Sequence, residues 1–126
     1  MQKQIFGFLF SLVILSFLFA FSPAYTSISW KQTSIEFGKI KHNKPVTATY
    51  EFVNTGKTPI IIQDAKGSCG CTGIEFSKES IPAGQSSNIK ATFNAASIGA
   101  FSKTVTVTMA GENEPIVLRF NGEVVE

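Results

Sequence analysis

Beyond Ser34, apolar side chains recur at every second position, and this period constrains the chain more than any other feature. Val46, Ala48, Tyr50 and Phe52 alternate with Thr47, Thr49, Glu51 and Val53, and Ile89, Ala91 and Phe93 alternate with Lys90 and Thr92. Val105, Val107 and Met109 alternate with threonines 104, 106 and 108, and Ile116, Leu118 and Phe120 alternate with Val117 and Arg119. Successive side chains of a strand point to opposite faces, so each run reads as a strand with one apolar, inward side. A helix would need a period of 3.6, which no stretch after residue 24 sustains.

Turn-forming residues divide these runs: His42-Asn43-Lys44-Pro45, Asn54-Thr55-Gly56-Lys57, Pro82-Ala83-Gly84-Gln85, Ser97-Ile98-Gly99 and Gly111-Glu112-Asn113-Glu114-Pro115. The pattern predicts strands near 34–40, 46–54, 58–65, 72–76, 86–94, 101–109 and 115–124. About seven short strands in a hundred residues predict an all-β, immunoglobulin-like sandwich, although without the Cys, Trp and Cys spacing of antibody domains. The continuous run Pro59-Ile60-Ile61-Ile62 reads as a strand covered on both faces near a sheet centre. Trp30 reads as a packing residue at the domain edge. Met109 and the phenylalanines at 37, 52, 76, 93, 101 and 120 read as core.

Residues 1–24 differ in kind. Lys3 is followed by an apolar block from Ile5 to Phe21, and Ser22-Pro23-Ala24 places small residues before a cut after Ala24, with Ala20 a second candidate. This is the pattern of an export signal. A retained membrane anchor is the alternative, because the block approaches the ~17 residues that can span a bilayer. The expectation is therefore a signal peptide over 1–24, one domain over 25–126, and a periplasmic or secreted location. The part after residue 24 carries ten Lys or Arg against nine Asp or Glu. So even a balance implies no nucleic-acid partner.

The only cysteines lie in Gly67-Ser68-Cys69-Gly70-Cys71-Thr72-Gly73. Glycines at 67, 70 and 73, together with Thr72, read as the residues that shape this loop, since glycine reaches positive φ at little cost. An i,i+2 pair can meet the Cα spacing of a disulfide in a turn, and an exporting compartment would preserve the bond. So short a ring removes little unfolded-state entropy, which argues against a role in holding the fold.

Phe37-Gly38-Lys39-Ile40, Phe52-Val53-Asn54-Thr55-Gly56-Lys57-Thr58-Pro59-Ile60 and Ser68-Cys69-Gly70-Cys71-Thr72 follow in order along the chain. Ile81-Pro82-Ala83-Gly84, Gly99-Ala100-Phe101-Ser102-Lys103 and Leu118-Arg119-Phe120-Asn121-Gly122 continue the series. Together they resemble DUF1573, a family of exported bacterial domains of unknown function, over nearly all of 25–126. The family is similar to the Ig-like sandwiches of Hydin, major sperm protein and pilus chaperones. The resemblance implies export and an Ig-like fold, and no agreed activity. The chain has Gly73-Ile74 after Thr72, where the resemblance leads one to expect proline.

Antiparallel alternation would put the connections at 41–45, 66–71 and 95–100 at one end and those at 54–57, 77–85 and 110–114 at the other. His42 and the cysteines would then share an end, and three readings stay open. In the first, a local Cys69–Cys71 disulfide shapes a loop through which the domain binds another exported or cell-envelope protein. Membrane contact enters only if the signal segment is retained. In the second, the two cysteines cycle between dithiol and disulfide, activated by Lys66, Lys78 or an amide nest. In the third, Cys69, Cys71 and His42 capture Cu(I), a soft ion suited to thiolates. Hydrolysis is set aside, because serines 68, 77, 80, 86 and 87 have only His42 as a base. The chain is thus read as a non-enzymatic module with no cofactor.

Overall fold

The computed structural model describes residues 28–126. The expected signal over 1–24 and its cleavage sites lie outside the described residues. Eight strands form in chain order: β1 (Ile28–Trp30), β2 (Ser34–Lys41), β3 (Val46–Asn54), β4 (Ile62–Gly67), β5 (Thr72–Phe76), β6 (Ser86–Phe93), β7 (Gly99–Met109) and β8 (Ile116–Val125). They build two four-stranded sheets, ordered β1-β3-β6-β5 and β2-β8-β7-β4. The fold is an Ig-like sandwich.

The alternating runs form the facing layers. Ala48, Tyr50 and Phe52 of β3 and Ile89, Ala91 and Phe93 of β6 are buried against Val105, Val107 and Met109 of β7 and Leu118, Phe120 and Val124 of β8. The intervening threonines and lysines face outward, as a period of two requires. Phe52, Phe93 and Phe120 are fully interior, whereas Phe37, Phe76 and Phe101 are half-buried and pack on the core margin. Tyr50, also on the inner face, donates its hydroxyl proton to the Arg119 carbonyl of the other sheet at 2.6 Å. Burial pushes its pKa up to about 12.

Two expectations need correction. The eighth strand, β1, is only three residues long, too short for a period to show. It pairs antiparallel with β3, and Trp30 rests on Phe52 with ring centroids 4.8 Å apart. The chain then crosses at 31–33 to the other sheet and continues as β2, which runs parallel to β8. Because β1 and β2 run in the same direction, the extra strand leaves the alternation of ends intact. The second correction concerns Pro59–Ile62, expected at a sheet centre. Here β4 starts only at Ile62 and is an outermost strand. Ile60 forms an isolated bridge with Ile81, Ile61 is 43% exposed, and Ile62 is buried. The three isoleucines alternate in, out and in while the chain passes between sheets. The apolar run reflects that crossing and not two-sided cover.

Glycine is required where β2 passes β8. Gly38 has φ +67° at a bulge between Glu36 and Lys39, and a Cβ on Gly122 would meet the Gly38 carbonyl at 2.7 Å and the Phe101 ring at 2.8 Å. The bulge lets the parallel pair resume its register at Lys39 opposite Glu123.

Candidate functional site

Loop 68–71 joins β4, outermost in one sheet, to β5, outermost in the other, so the cysteines cross the gap between the two layers. Their Sγ atoms are at bonding distance and the Cα atoms are 5.3 Å apart, within the range for a disulfide. Both flanks of the bridge are tied down, each to a different sheet. Ser68 donates its N–H to the Thr104 carbonyl at 2.9 Å, and its Oγ accepts from the Thr104 N–H at 3.1 Å. The Cys71 carbonyl accepts the Asn94 N–H at 3.1 Å, at the end of β6. The loop therefore follows β7 on one side and β6 on the other.

The loop glycines act otherwise than expected. None of Gly67, Gly70 and Gly73 has positive φ; among the described residues the left-handed glycines are 38, 84, 99 and 111. At Gly67 the constraint is space, since a Cβ there would lie 3.3 Å from the Thr72 Cβ and 3.5 Å from the Cys69 carbonyl oxygen. Gly70 and Gly73 face open space. Gly73 lies in β5 opposite Thr92. Thr72 places its Oγ1 3.7 Å from the Cys69 sulfur. The bonded sulfur has no proton, so the hydroxyl is the donor.

His42 does share this end. It is exposed and its Nε2 donates to the Ala96 carbonyl at 3.0 Å, while the Asn43 N–H reaches the Ala95 carbonyl at 2.8 Å. Asn43 and Ala95 both adopt positive φ, 59° and 53°, where the two turns meet. Ala95 is fully buried and the Asn94 Oδ1 accepts the Ala96 N–H at 3.1 Å, so the 94–96 turn is fixed from within. His42 does not complete a ligand set with the cysteines. Among the described residues no three of His, Cys, Asp and Glu gather as a metal-binding group.

The two lysines expected to activate a thiol differ in place. Lys66 extends into solvent, 80% exposed, beside Asp64 at 3.5 Å, and Lys78 follows β5 at the opposite end. Lys103 is the basic residue that lines a cavity with Cys71. That cavity, about 270 Å³, is walled by Phe93, Phe101, Ala96 and Ile98. The two phenylalanine rings stack with centroids 4.4 Å apart, and Ile98 at the rim is 54% exposed. The sequence reading missed Ser68, Asn94, Ile98, Phe101 and Lys103 as parts of one site. Ile98 alone carried a signal, as an apolar residue inside a turn.

Solved structures share the sandwich at low identity. The PapD-like domain 7 of human CEP192 aligns with TM-score 0.64 at 12% identity, over 80% of this chain and 87% of that one. The CupB2 chaperone of Pseudomonas aeruginosa aligns with TM-score 0.58 at 10% identity, over 76% of this chain and 55% of that one. The secreted serine protease VesC of Vibrio cholerae aligns with TM-score 0.62 at 10% identity, over 79% of this chain and 23% of that one. This chain thus spans about half of the chaperone and a quarter of the protease. At such identity the likeness concerns fold alone. No curated protein matches the sequence. The family model of DUF1573, described as a protein of unknown function, matches residues 28–124, and the chain belongs to that family.

Proposed function

We propose that the chain is an exported, non-enzymatic interaction module that binds another exported or cell-envelope protein through the end carrying the cysteine bridge. The observation that carries this reading is Ile98, a large apolar side chain 54% exposed at the rim of the cavity beside Cys71. Apolar groups held out by short, internally bonded loops on a rigid sandwich suit protein recognition. The fold likeness to a PapD-like domain and to a chaperone supports an interaction role. Two polar side chains at this end help to shape it: Ser68 Oγ accepts from the Thr104 N–H and His42 donates to the Ala96 carbonyl.

A photo-crosslinking side chain placed at position 98, in a chain with both cysteines changed to serine, tests the reading in the export compartment. A discrete crosslinked protein species is expected from position 98 and not from position 57, at the opposite end. Equal or stronger crosslinking from 57, or none from 98, overturns it. Export itself is tested by N-terminal sequencing of the recovered chain, expected to begin at Tyr25.

A further inference from the structure

Cys69 and Cys71 are not equivalent. Cys71 lines the 270 Å³ cavity, whereas Cys69 is outside its lining and has the Thr72 hydroxyl 3.7 Å from its sulfur. Cys71 is also the better anchored of the two, through its carbonyl to Asn94 and by its position directly before β5. One cysteine borders a space that a visitor can enter, and the other has a hydrogen-bond donor beside its sulfur.

We propose that the bridge captures a partner protein covalently, by attack of a partner cysteine thiolate on Cys71, with Cys69 as the leaving group. The thiolate sulfur of the partner forms a new S–S bond to Cys71 Sγ. The Cys69–Cys71 bond breaks, and its electron pair departs on Cys69 Sγ. That thiolate accepts the Thr72 hydroxyl hydrogen bond and then takes a proton from solvent. No external oxidant is consumed, because one disulfide is exchanged for another. The rate of such exchange depends on which sulfur is accessible and on how well the leaving thiolate is stabilised, and both terms favour this direction. Lys103, in the cavity lining, supplies positive charge to the incoming thiolate.

The cavity also selects the kind of thiol. Phe93, Phe101 and Ile98 form an apolar side of a lining that also holds Asn94, Ser97, Ser102 and Lys103, and that side gives a cysteine flanked by apolar residues in an extended protein segment contacts that glutathione lacks. This inference rests on the reading of this end as the binding end, and names what is bound there.

The test is to incubate the oxidised full chain with acetyl-Leu-Cys-Leu-amide or with glutathione, quench at early times, alkylate free thiols and map the adducts by peptide mass. The expected product carries the tripeptide on Cys71 and the alkyl group on Cys69. Thr72→Val is expected to slow its formation about tenfold, as loss of one hydrogen bond to a charged leaving group implies, with Thr72→Ser restoring the rate. Ile98→Asp should slow the tripeptide and spare glutathione. An adduct on Cys69, equal labelling of both, no adduct, or faster capture of glutathione overturns the proposal. Any of these would leave the crosslinking result at position 98 intact, because that experiment uses a chain without cysteines.

Discussion

The two ends of the sandwich order their loops by opposite means. At the end away from the cysteines, Asn54 is completely buried and meets every one of its hydrogen-bonding requirements. Its Nδ2 donates to the Thr58 and Ile81 carbonyls at 2.9 and 3.0 Å, and its Oδ1 accepts the Gly56 N–H at 3.0 Å. Its backbone N–H and carbonyl pair with Gln85 and Gly84. One amide thereby holds the turn after β3 and the long connection between β5 and β6. At the cysteine end the corresponding work is divided among backbone bonds from Ser68, Asn43 and Asn94 and one covalent bond that a thiol can break. A buried amide stabilises and is chemically inert; a half-exposed disulfide contributes little stability and is chemically addressable. The contrast places structural cost at one end and chemical opportunity at the other.

The largest effect should follow from Asn54→Ala. Losing three side-chain hydrogen bonds at a fully buried position, with the Ile81 carbonyl keeping the Ile60 N–H as a partner, costs about 3 kcal/mol. Thermal unfolding should show a fall of roughly 10 to 20 °C for a domain of this size, with thiol exchange at the other end unaffected. A slowed exchange would mean the ends are coupled.

Next comes Gly122→Ala, expected to cost about 2 kcal/mol by overpacking against Gly38 and Phe101. Because Phe101 also walls the cavity, this variant should change tripeptide capture as well as stability in denaturant. An effect on stability alone would detach Phe101 from the site.

Tyr50, whose hydroxyl links the sheets, provides a control belonging to neither end. Tyr50→Phe should cost about 1 kcal/mol and leave exchange unchanged. Its raised pKa means that the folded state keeps the phenol proton that the unfolded chain releases near pH 10. This contribution to stability is fully present below pH 10 and is lost as pH rises toward about 12. Unfolding free energy measured across that window should fall in the native protein and fall less in Tyr50→Phe.

A comparably small effect on stability is expected from removing the bridge. Replacing both cysteines by serine should cost about 1.5 kcal/mol or less, as the shortness of the ring implies. Combined with Asn54→Ala the two costs should add within about 0.5 kcal/mol, since the groups share no partner. A large loss on removing the bridge would show that the covalent bond, and not Ser68 and Asn94, orders the loop.

Much of the fold was legible because it rests on local rules. Alternation together with turn residues located β2, β3, β5, β6, β7 and β8 to within about two residues, and alternation of direction placed His42 and the cysteines at one end. The run at Pro59–Ile62 was misread because an apolar stretch looks the same in a central strand and in a crossing between layers. β1 escaped notice because three residues carry no period. In the site, the cysteine pair was legible from its spacing, but its surroundings were not. Lys103 lies 32 positions beyond Cys71 and Asn94 lies 23 beyond, so only the register of β6 and β7 brings them near.

The sequence by itself determined an all-β sandwich, the residues of its core and the end at which the cysteines lie, because side-chain alternation and turn chemistry act over a few residues. The tertiary structure decided which cysteine meets the cavity, which lysine stands beside it and that Asn54 is buried and fully bonded. Those facts depend on which strands lie next to one another across the layers, and long-range pairing is settled only when the two sheets close on a common core.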